Sequence, residues 1–157
     1  MKFSKIINKS KGFTLIELLV VIGILAVLLA ITLIAINPAR QFSQANNTKR
    51  TSDVNAILNA INQYMADNKG TIPPGITSTA TEISSATAAN LCSLLITIYM
   101  AALPSDPKTG VPPGSVPATG CGSYATDYSV MVGSGTDNRI TVASMFPELG
   151  VSISVTR

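Results

Sequence analysis

FTLIELLVVIGILAVLLAITLIAI, residues 13–36, carries one ionisable side chain, Glu17, in 24 positions. Coiled as a helix it is about 36 Å long, enough to cross a hydrocarbon core of about 30 Å with some tilt. A cleaved secretory signal has an apolar region of only about 7–15 residues, followed by a small-x-small site. This run is longer, and no Ala-x-Ala directly follows it. It therefore reads as a membrane span.

Working outward, residues 1–12 hold Lys2, Lys5, Lys9 and Lys11, four of the chain's 11 basic residues. Without them the net charge of +3 becomes slightly negative, so the basicity belongs to the leader and predicts no specific nucleic-acid partner. Lysines beside a span stay in the cytoplasm, which predicts a single pass with the C-terminal part outside. The chain has 157 residues and is only 12% charged, about half the usual fraction. Residues 37–157 are rich in Ser, Thr, Asn, Gly and Pro and suit one small polar domain. With no His and two Cys, a His-based triad, a His zinc site and a four-Cys cluster are excluded. No paired carboxylates, phosphate-binding Gly loop or activated nucleophile is visible, and Gly133-x-Gly135 is turn chemistry. The expectation is a protein that is not an enzyme and carries no cofactor.

Glu17 needs an explanation, because an isolated carboxylate within a bilayer costs at least about 2.5–3.5 kcal/mol. Two readings are open. It sits near the interface and snorkels or takes a proton, or it meets a positive group. A cut just before Phe13 creates such a group, an α-amine four residues away on the same helical face.

Lys11-Gly12-Phe13-Thr14-Leu15-Ile16-Glu17 resembles the type III (prepilin) signal of type IV pilins and type II secretion pseudopilins, ungapped over residues 11–22. The resemblance implies that prepilin peptidase cleaves between Gly12 and Phe13, that Phe13 is N-methylated, and that Glu17 is the assembly carboxylate. It also implies the partners: copies of the chain and minor pilins or pseudopilins in a filament, an inner-membrane assembly platform, and membrane lipid before assembly. A glycine at the cut suits a narrow peptidase groove.

Asn37-Pro38 interrupts the helical pattern, Asn37 suited to capping and Pro38 to a first helical position. Relatives in the resembled family place a bending proline about one turn earlier. Beyond it Phe42, Ala45, Val54, Ile57, Leu58, Ile61 and Tyr64 fall at three- and four-residue spacing, predicting an amphipathic helix that stops near Asn68-Lys69-Gly70. Residues 75–88 read as loop. Leu91, Leu94, Leu95, Ile98, Tyr99 and Ala102 predict a short second helix, and residues 104–122 are loop by their prolines and glycines. Alternation predicts strands over 124–132, 139–146 and 151–155. The predicted fold is α+β and pilin-like: a long N-terminal helix, a short second helix and an antiparallel sheet of about three strands. Its divisions are a leader (1–12), a transmembrane and polymerisation helix (13–36), an amphipathic continuation (37–70) and an extracytoplasmic head (71–157).

Cys92 and Cys121 lie on the outward side, where a disulfide between them would close a long loop; two unpaired buried cysteines are the other arrangement. The run 103–110 resembles the proline-rich loop of the major secretion pseudopilin, near which that family binds calcium. Asp106, Asp127 and Asp137 are the acids available for this, but scattered acids are commonly turn caps, and no metal is assigned. The sequence thus predicts a filament subunit, of a pilus or a secretion pseudopilus. A non-polymerising, membrane-anchored binding module is the alternative, and it leaves Gly12 and Glu17 without a purpose.

Overall fold

The computed structural model describes residues 12–107, 121–134 and 138–157. Lys2, Lys5, Lys9 and Lys11, expected in a leader, Pro112, Pro113 and Pro117, expected in a loop, and Asp137 lie outside the described residues. Two compact units divide the chain, Met1–Gln41 and Phe42–Arg157.

The first unit is built on α1, Leu15–Ile36. Its segment Leu15–Ala35 is long and apolar enough to cross a membrane, and its side chains are exposed throughout. The helix ends at Asn37, whose left-handed backbone (φ 42°) stops the hydrogen-bond ladder. Asn37 then starts the next helix: its carbonyl accepts from the Arg40 and Gln41 amides, and its Oδ1 from the Arg40 amide at 3.4 Å. Pro38 takes the first helical position, where its missing N–H leaves no bond unmade. One Asn-Pro pair therefore closes α1 and opens α2, Pro38–Asp67.

From Phe42 onward the second unit packs α2 against a four-stranded antiparallel sheet in the order β1-β2-β3-β4, with β1 Thr81–Ser84, β2 Ala125–Val132, β3 Ile140–Ser144 and β4 Ser154–Thr156. Period-two alternation turns Tyr128 and Val130 of β2 and Ile140 and Val142 of β3 inward, where they share a core with Val54, Ile57, Leu58 and Ile61 of α2. The helix ends in a left-handed turn, Lys69 at φ 55° and Gly70 at φ 82°, with the Gly70 amide on the Met65 carbonyl at 2.7 Å.

The structure corrects four expectations. The stretch 75–88 is not all loop: Thr81–Ser84 forms an edge strand on β2, so the sheet has four strands where about three were expected. A single apolar residue, Ile83, faces the core from this strand, too little alternation to register as a pattern. The second helix is one turn, α3, Cys92–Leu95, because Ile96 is extended and Thr97 takes φ 74°. Phe42 and Ala45 do not continue the buried stripe of α2; both are exposed. The third and fourth strands are shorter than the alternating runs that announced them.

Between β1 and β2 the register shifts at Glu82 and Ser84, and Asp127 sits in the bulge at φ 59°. Side chains satisfy the disrupted ladder. Thr126 Oγ1 donates to the Ile83 carbonyl at 2.8 Å and accepts from the Tyr128 amide, while Glu82 Oε1 accepts from the Asp127 amide at 3.3 Å.

Cys92 and Cys121 form a disulfide across a sequence separation of 29, tying α3 to the chain entering β2. Closing that loop removes denatured-state entropy worth about 3.6 kcal/mol in the chain-entropy model. Reducing the bond should lower the unfolding free energy by about that amount, read as a lower denaturation midpoint with an altered slope.

Candidate functional site

Gly12, Phe13 and Thr14 precede α1 in non-helical conformation, and Phe13 is 90% exposed. A Cβ built on Gly12 meets nothing within 4 Å, and its φ is not in the left-handed region. Among the described residues nothing requires glycine there, which leaves room for a molecule that grips this peptide from outside. Gly12, Phe13 and Glu17 fall within about one helical turn of the start of the apolar helix.

Thr14 and Glu17 form a complete capping box. The Glu17 amide donates to Thr14 Oγ1 at 3.2 Å. In return Glu17 Oε2 accepts from the Thr14 amide at 2.8 Å and from the Thr14 hydroxyl at 2.7 Å. The carboxylate thus curls back to the N-terminus of its own helix, where unpaired amides and the helix dipole favour negative charge. The spacing Thr-x-x-Glu before an apolar run is the sequence signature of this box. A search confined to cationic partners for Glu17 passes over these neutral donors.

The second polar constellation lies in the second unit, and of its members the sequence reading singled out only Asp106, in a different role. Arg50 is fully buried. Its Nε and Nη2 donate to the two carboxylate oxygens of Asp106 at 2.6 and 2.8 Å, and Nη1 donates to Asn47 Oδ1 at 2.9 Å and Glu148 Oε2 at 3.0 Å. Hydrogen bonding to Asp106 raises the guanidinium pKa above its already high value, burial opposes this, and Glu148 reinforces it, so Arg50 stays charged. Glu148 also accepts from Ser43 Oγ at 3.2 Å and Asn46 Nδ2 at 2.9 Å. The Asn47 side chain holds the Glu148 backbone on both sides, donating to its carbonyl at 2.8 Å and accepting from its amide at 3.0 Å. Ser43, Asn46, Asn47 and Arg50 stand at i, i+3, i+4 and i+7, so the head-facing stripe of α2 is continuous but polar in these turns. A search for apolar periodicity passes over it.

Of the three acids available to a cation, Asp106 has both oxygens on Arg50, and Asp127 lies in the β-bulge. Among the described residues no group of three or more His, Cys, Asp or Glu is placed to hold an ion. Beside this network Tyr128 Oη donates to Asp53 Oδ2 at 2.9 Å, and Lys49 Nζ reaches the same oxygen at 2.9 Å. Burial, then the Asp53 charge, pushes the Tyr128 hydroxyl well above its ordinary range, and burial pushes Tyr124 up as well. A raised folded pKa makes the contribution to stability complete below the unfolded value of about 10, and progressively lost as pH climbs through the folded one. Stability should therefore fall above about pH 10. The Tyr128→Phe protein should show a shallower alkaline decline in unfolding measurements across that range.

The family model for the prokaryotic N-terminal methylation motif matches residues 7–33. The chain thus carries the prepilin signal of type IV pilins and pseudopilins, and the matched region contains Gly12, Phe13, Thr14 and Glu17. Comparison with curated proteins and with solved structures returned no match.

Proposed function

We propose that the chain is a structural subunit of a type IV pilus-like or type II secretion pseudopilus filament. Prepilin peptidase cleaves it between Gly12 and Phe13, the new Phe13 amine is methylated, and subunits assemble through α1 with Glu17 as the charged partner. The methylation motif over residues 7–33 is the observation that carries this reading. The geometry supports it with an exposed, non-helical Gly12–Phe13 bond and a carboxylate one turn beyond it.

The capping box supplies a storage state for Glu17. Before assembly the carboxylate is held by the Thr14 amide and hydroxyl, which offset part of its desolvation cost in lipid. After cleavage the amine of a neighbouring subunit competes for the same oxygens with a full charge, and charge-assisted bonds are about twice as strong as neutral ones. Pairing relieves an unpaired charge in a medium that penalises it, so association is favoured where the apolar helices also exchange lipid for each other. The leader lysines remain cytoplasmic and the head lies outside.

Mass spectrometry of the mature protein tests the proposal. A chain beginning at N-methyl-Phe13 is the expected result. A membrane protein that keeps Met1 and its lysine leader would overturn the filament reading in favour of a non-polymerising anchored module.

A further inference from the structure

The turn between β3 and β4, residues 145–151, reads Met-Phe-Pro-Glu-Leu-Gly-Val and is inside out. Its one charged side chain, Glu148, faces α2 and is bonded to Ser43, Asn46 and Arg50. Its apolar side chains face outward: Met145 is 45% exposed, Phe146 47%, Leu149 49% and Val151 47%. Phe42, next to Ser43 at the same end of the head, is 72% exposed. A solvated turn carries polar residues outward, so this end of the head is shaped for an apolar surrounding.

We propose that the occupant is the lipid interface: in the membrane-held subunit, Phe42 and the 145–151 turn insert among the headgroups at the outer face of the bilayer. The chain's own tether argues for lipid. Phe42 follows Ala35, the end of the apolar segment, by seven positions. Three extended residues and one turn of α2 span at most about 17 Å, so Phe42 never strays far from the hydrocarbon edge. The Glu148 bonds to Ser43 and Asn46 carry the turn with it. No acidic residue lies between Glu17 and Asp53, and Arg40, the first charge after the span, has a sign and length suited to headgroup phosphates. Phenylalanine and leucine beside such a cation are the composition of interfacial anchors.

This inference rests on the reading of α1 as a span, and the test separates the two. The chain contains no tryptophan, so a single substitution introduces a lone reporter. Full-length Phe146→Trp, Ile98→Trp and Leu25→Trp proteins are placed in phosphatidylethanolamine–phosphatidylglycerol vesicles containing lipid brominated either near the headgroups or deep in the chains. Ile98 is a matched control, 71% exposed and next to Tyr99, which packs on Tyr64 at a ring-centroid distance of 5.9 Å. Tyr64 stands 21 residues along α2 from Ser43, about 31 Å. Shallow bromine should quench the Phe146→Trp protein about threefold or more beyond the Ile98→Trp protein, with a blue-shifted emission. Equal, weak quenching of both, with Leu25→Trp quenched by deep bromine, overturns the interfacial insertion and leaves the span intact. A blue shift at position 146 without quenching overturns it too, because protein, for instance a second copy of the chain, then covers the patch. If Leu25→Trp is untouched by deep bromine, the span reading fails and this proposal fails with it.

Discussion

Arg50→Leu should lower the unfolding free energy of the protein by about 3–5 kcal/mol, the loss expected when one partner of a buried ion pair is removed and the other stays behind. Leucine supplies apolar volume, but Asp106 stays buried without the guanidinium donors on its two oxygens, and Glu148 loses one of its own. Arg50→Lys should recover little, because a single ammonium does not reproduce the two parallel bonds to Asp106. The Arg50→Leu/Asp106→Leu double variant should be markedly more stable than the single one, since an apolar pair needs no compensation. Denaturant unfolding of these variants, the Asp106→Leu single and the parent protein in detergent gives the coupling energy directly. A loss under about 1 kcal/mol in Arg50→Leu would mean the bridge behaves like a solvated surface pair.

Ser43, Asn46, Asn47 and Arg50 are the means by which the early turns of α2 grip the 145–151 turn and Asp106. Apolar packing begins only at Val54. A polar clamp with directional bonds fixes that junction in one geometry, whereas apolar contact alone would allow it to slide.

Glu17→Gln should abolish filament assembly almost as fully as Glu17→Ala while leaving membrane insertion and helix formation intact. Glutamine at the third helical position still completes the capping box with Thr14, so it preserves the local structure and removes only the charge. Alanine removes both. For charges about 4 Å apart, the pairing lost is worth about 4 kcal/mol at an effective dielectric near 20. A weakening of about a thousandfold per contact corresponds to that magnitude, at about 1.4 kcal/mol for each tenfold. Sheared-filament yields, beside membrane-fraction levels of each variant, check the outcome. Wild-type yields from Glu17→Gln would reduce Glu17 to a helix cap and sink its assembly role.

How much of the fold is legible in the residues differs by element, for a physical reason in each case. The apolar run was legible because twenty-odd residues with a single charge have few places to be other than a bilayer. Asn37-Pro38 was legible because the restriction proline places on the backbone is local. Strands β2 and β3 alternate on one buried face, so period two survives in their residues. β1 does not, since an edge strand with one inward apolar side chain owes its existence to the unpaired groups of β2.

The N-terminal signal, the span and the lone carboxylate were determined by local chemistry, in which a residue's neighbours in sequence are its neighbours in space. The partner of that carboxylate within the chain was equally local, three residues away. Only the tertiary structure decided the rest. It paired Cys92 with Cys121, turned Phe42 out and Arg50 in, and joined residues 56 and 98 positions apart around one guanidinium. A buried arginine is intelligible only when its acids arrive from distant loops, and no periodicity announces them. The helix could therefore be read from one end of the chain, whereas the clamp exists only once the chain has folded back upon itself.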